Sequence, residues 1–156
     1  MTPHERLPDL IKSLEAHAKR VLVGTKDSLS PLMHVITRSH GDGIIAIPDG
    51  REALPGIPAV LADLDAVAYG FAYEGWMIAR QTDTGERPSE CDDREEVVVI
   101  GATDGVASHV LALQIKRGPD GGCAALVKDP RFCGDDGRHQ SRWFGLLPAS
   151  HVDGHA

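Results

Sequence analysis

The sequence predicts one α+β domain: a largely antiparallel sheet of about six strands, with an N-terminal helix and a short second helix on one of its faces. Three observations lead there. Apolar residues keep helical spacing only at the start of the chain and repeat every second residue over most of the remainder. Glycine-rich turn signals separate the period-two runs. A chain of 156 residues suits one hydrophobic core, so residues 1–156 read as a single domain with a frayed tail from 150 onward.

Leu7, Leu10, Ile11, Leu14, Ala18 and Val21 fall at helical spacing, and Thr2, Pro3 and Glu5 supply a capping box with proline at the first helical position. Pro8 argues for a later start, because it lacks the backbone donor a helix interior needs. Two β-rich runs, Leu32 to Arg38 and Gly43 to Pro48, flank "SHGDG", whose glycines suit a hairpin loop. Asp49 and Glu52 then open a short helix reaching Asp63, which Pro55 and Pro58 interrupt.

From Ala66 to Ala79 the side chains alternate. Val67, Tyr69, Phe71, Tyr73 and Met77 take one side; Ala66, Ala68, Gly70, Ala72, Glu74, Trp76 and Ile78 take the other. This is a long central strand whose small-residue face lets a helix or sheet approach closely. The polar segment Gln81 to Glu95 is a surface connection, expected at one edge of the sheet. In the weakly periodic C-terminal segment, Trp143, Phe144, Leu146 and Leu147 are expected to dock on the core.

The stretch "VVVIGATDGVA" resembles the first turn of short-chain dehydrogenases, with Gly101 and Gly105 in place of the first two glycines and Asp129 available for a ribose. Ala107 stands at the third glycine, and no Tyr-x-x-x-Lys is present. After the turn Leu111, Leu113 and Ile115 alternate with Ala112, Gln114 and Lys116, which is strand spacing. Asp104-Gly105 is therefore a hairpin turn, and "RGPDGG" leads through a second one to Cys123–Lys128. No cofactor is expected.

Sixteen Lys+Arg against 23 Asp+Glu leave a net charge of −7, with the basic residues scattered along the chain. Binding to a nucleic-acid backbone is disfavoured, since it requires clustered cations. No run approaches the ~20 apolar residues of a membrane span, and "MTPHERLPD" lacks the features of a signal peptide, so a cytoplasmic protein without membrane partners is expected. Cys91, Cys123 and Cys133 are expected to be free thiols.

Few residues carry a chemical signal. Glu74, beside Trp76 on the small-residue face, is the candidate general acid or base. His34 and His109 fall in strands that would let them meet across a sheet face. Cys133 and His139, with Cys123, Asp135 and Asp136, form a weak metal-ligand set without C-x-x-C or H-E-x-x-H spacing. The nucleophile-elbow pattern is absent, and Gly24-Thr25-Lys26 reverses the order of a phosphate loop. If the strands flanking the polar connection pair antiparallel, Glu74 and Arg94 form a charge-assisted pair that anchors this connection against Trp76.

Glu74, Trp76 and Met77, followed by Pro88, Ser89, Asp93, Arg94 and Glu96, resemble a signature of small bacterial and phage-associated proteins: Glu-x-Trp-Met, then Pro-Ser-x-x-x-Asp-Arg-x-Glu. The resemblance implies no activity, and Cys91 stands where a histidine is expected. The reading that follows is a non-enzymatic binding or assembly module of a bacterial or phage-related system, with itself (as a homodimer) or another protein as partner. The alternative is a small hydrolase-like enzyme using Glu74 or a Cys133/His139 metal site.

Overall fold

The computed structural model describes residues 2–47, 50–78, 90–132 and 143–147. Helix α1 spans Pro3–Leu22, with Thr2 as its cap: the Thr2 hydroxyl accepts from the Glu5 N–H at 3.3 Å. Pro8 lies inside this helix and does not delay its start. The hairpin follows as β1 (Leu32–Thr37) and β2 (Asp42–Ala46). Next come α2 (Gly50–Ala53), a 3-10 turn (Leu54–Gly56) and α3 (Ile57–Asp63), so the short second helix is broken where its prolines required. Strands β3 (Ala66–Met77), β4 (Glu95–Thr103), β5 (Ser108–Arg117) and β6 (Cys123–Lys128) complete the sheet.

The fold is α+β, and its six strands run in the order β2-β1-β3-β4-β5-β6 with every neighbouring pair antiparallel. Strands β3 and β4 are the two central strands. The connection between them therefore links two central strands; residues 79–89 of it, expected at a sheet edge, lie outside the described residues. A tight approach of α1 to β3 follows from Gly70, where an added Cβ would lie 2.8 Å from Leu14 Cδ1 and 3.3 Å from Leu10 Cβ.

The helices occupy opposite faces, which corrects the expectation that both pack on one. On the α1 face, Leu14, Ala18 and Leu22 rest on Ala72, Val98, Ile100, Leu111 and Leu113. On the other, Leu54, Ile57 and Leu61 meet Met33, Val35, Tyr69, Phe71, Val97 and Val99, joined by Trp143, Leu146 and Leu147. The reason lies in the consecutive apolar run Val97–Ile100, whose four side chains are all buried and alternate between faces. A sheet apolar on both sides needs two covers, and a single helix supplies one.

Alternation along β3 is also interrupted. Ile36 pairs with Ala68 and Thr37 with Ala66, leaving Val67 as the extra residue of a bulge. Val67 turns to the α1 face beside Leu7 and Leu10, while Ala66 turns to the opposite core. From Ala68 onward the alternation read from the sequence holds. Among the described residues no helix is long and apolar enough to cross a membrane.

Candidate functional site

The glycine-rich turn is already filled by its own side chain. Asp104 Oδ1 accepts the N–H groups of Val106 (2.9 Å) and Ala107 (2.8 Å), the donors that a pyrophosphate would require. Burial raises the Asp104 pKa, but those two N–H groups and His4 outweigh it and leave the carboxyl below its ordinary value. Gly105 takes a φ of 91°, which closes the turn between β4 and β5. Gly101 serves packing: the Phe71 ring lies where its Cβ would stand. Asp129, the proposed ribose ligand, is 4% exposed and occupied by Arg131 and by Gln114 Nε2 at 2.8 Å. The Arg131 guanidinium beside it is the main reason its pKa is lowered to about 2.

Beyond the reach of α1, Glu74 and Trp76 emerge on the same sheet face. Glu74 Oε1 accepts the Leu29 N–H at 2.6 Å and so ties the segment after α1 to the central strand. Trp76 is 41% exposed, with the Arg94 guanidinium carbon 4.7 Å from its ring centroid. Arg94 Nη1 donates to the Cys91 carbonyl at 3.3 Å, while Glu96, opposite Trp76, accepts from Arg117 Nη2 at 2.6 Å. Trp76 and Arg94 thus meet in a cation–π contact. Among the described ion pairs none joins Glu74 to Arg94. Register explains this: Met77 pairs with Glu95, which puts Arg94 four residues along the strands from Glu74, roughly 13 Å.

His34 and His109 do not meet. His34 pairs with Gly70, Gly70 with Ala102 and Ala102 with His109, so three strand spacings, about 14 Å, separate the rings' backbones. His34 Nε2 instead lies 3.0 Å from Asp42 Oδ2. The same carboxylate receives both terminal nitrogens of Arg6, one of them at 2.9 Å. Arg6 is the main cause that holds the Asp42 carboxyl well below its ordinary range, with His34 adding to it and burial opposing. An open groove of about 500 Å³ lies alongside, lined by Arg6, Ile36, Thr37, Arg38, Gly41, Asp42 and Val67.

Cys91 and Cys123 are both buried, and burial pushes the Cys123 thiol up, away from the reactive thiolate. Cys133, Asp135, Asp136 and His139 lie outside the described residues, as do Pro88 and Ser89. Among the described residues no three His, Cys, Asp or Glu side chains gather as metal ligands. The Tyr69 hydroxyl, another buried polar group, donates to the Trp143 carbonyl at 2.6 Å and accepts the Leu146 N–H at 3.2 Å, so it clamps the C-terminal segment.

Sequence reasoning missed the sheet edges. Ile44 on β2 is 64% exposed and Val127 on β6 is 45% exposed. The uninterrupted apolar run Gly43–Ile47 was the available signal, since edge strands are commonly guarded by lysine, proline or a bulge and this run has neither lysine nor proline. Comparison with protein-family models, curated proteins and solved structures returns no match.

Proposed function

We propose that the protein is a non-enzymatic binding or assembly module that works through its sheet. The observation that carries this reading is the pair of edge strands β2 and β6, each presenting an exposed aliphatic side chain, Ile44 and Val127. Sheet edges carry backbone donors and acceptors that recruit another strand, and the affinity comes from main-chain bonds with side chains setting specificity. The groups with chemical potential have structural employment instead: Glu74 holds Leu29, Asp42 holds Arg6 and His34, and Asp129 holds Arg131 and Gln114. The resemblance in the Glu74–Glu96 segment points to a bacterial or phage-related system as the setting.

A dilution series by sedimentation velocity tests the reading, with a sedimentation coefficient that rises with concentration as the expected result. A chain that stays monomeric to high micromolar concentration removes self-association. Elemental analysis of the purified protein addresses the hydrolase-like alternative, because stoichiometric zinc would move the assignment to a metal site involving Cys133 and His139.

A further inference from the structure

The ladder between β1 and β2 fixes which backbone groups of the edge strand face outward. Ile47 N donates to the Pro31 carbonyl and Thr37 N to the Gly41 carbonyl, so the pairs Leu32–Ala46 and Ile36–Asp42 are the non-hydrogen-bonded ones. By alternation His34–Ile44 is the third. Asp42, Ile44 and Ala46 therefore aim their N–H and C=O groups away from β1, and no backbone partner from the described residues meets them. The other edge is less open. At Cys123 the chain after α1 already adds itself to β6, with Gly24 N donating to the Cys123 carbonyl at 2.8 Å and Cys123 N to the Thr25 carbonyl at 3.0 Å.

We infer that β2 is the interface for a second copy of this chain, paired antiparallel about a two-fold axis through Ile44. This rests on the assembly reading above and names its partner and register. The strand is self-complementary in that register. Ile44 faces Ile44 of the second copy, and Asp42 and Ala46 each face the other, so all three outward residues exchange N–H and C=O groups. Charge agrees. Asp42 is the one ionisable residue in the strand, it lands opposite alanine, and its carboxylate stays neutralised by Arg6. The two Ile44 side chains, exposed in the single chain, cover each other as a cross-strand aliphatic pair. Strand β2 contains no lysine, proline or bulge that would block such pairing.

Sedimentation velocity on the wild type, Ile44→Lys and Val127→Lys tests the inference. Ile44→Lys sets like charges opposite each other and should raise the dimer dissociation constant at least about tenfold, whereas Val127→Lys should associate as the wild type does. Circular dichroism and melting temperature check that both variants fold. Hydrogen exchange on the unaltered chain gives a second readout: the Ile44 and Ala46 amides should gain protection as concentration rises. A wild-type dimer that persists in folded Ile44→Lys, or shows no such protection, overturns the β2 interface while leaving self-assembly intact. A wild type monomeric at every concentration overturns both.

Discussion

Replacing Glu74 separates a structural carboxylate from a catalytic one. Its Oε1 accepts the Leu29 N–H at 2.6 Å, across a part-buried contact between residues forty-five positions apart. Glu74→Ala leaves that N–H without its acceptor. A hydrogen bond to a charged group contributes about 1.5–3 kcal/mol, and the partial exposure of this one argues for the lower end. At roughly 2–4 °C per kcal/mol for a chain of this size, the melting temperature should fall by about 3–6 °C. Glu74→Gln keeps an oxygen acceptor but loses the charge, so about half that loss is expected. Thermal melts followed by circular dichroism at neutral pH provide the assay. Two unchanged melting temperatures, or a larger loss in Gln than in Ala, would refute the tether and return Glu74 to the candidate catalytic groups.

Gly70→Val should cost about 1–3 kcal/mol in denaturant unfolding, because the new side chain must displace Leu14 and Leu10 of α1; a neutral result would mean that the helix is free to lift. The Asp42 carboxyl is held below its ordinary value near 3.8, so its stabilising contribution is full above that pH and is lost as pH falls toward the lowered value. Asp42→Asn should therefore be less stable than wild type at pH 7 and close the gap below pH 3, and a constant gap would contradict the Arg6 pairing. Arg94→Ala should lower stability by about 0.5–1 kcal/mol and change the fluorescence of Trp76, and unaltered emission would argue against the stack.

Strand content was legible because alternation is a local property. The long strand at Ala66, the Asp104-Gly105 hairpin and the final strand at Cys123 all carry it within a few residues, and the structure has all three. What could not be read was tertiary. The faces chosen by the helices depend on which sides of Val97–Ile100 need cover, and the bulge at Val67 depends on how β1 lies against β3. The Glu74–Arg94 expectation failed for the same reason. Adjacency was inferred from the order of the strands, whereas the register sets Arg94 beside Trp76 and sends Glu74 to a segment just after α1. The network of Arg6, His34 and Asp42 joins a helix to a hairpin, and no spacing rule along the chain announces it.

The late position of the Trp143–Leu147 segment has a consequence for synthesis. All six strands exist once Lys128 has emerged, yet Tyr69, Phe71 and Tyr73 then still lack Trp143, which stacks on Phe71 and Tyr73, and the backbone that closes over the Tyr69 hydroxyl. At translation rates of 5–20 residues per second that aromatic surface stays uncovered for about one to three seconds. A released chain ending at Asp129 would hold all six strands with one sticky face, a natural client for a holdase, and that fragment should capture hydrophobic dyes that the full chain excludes.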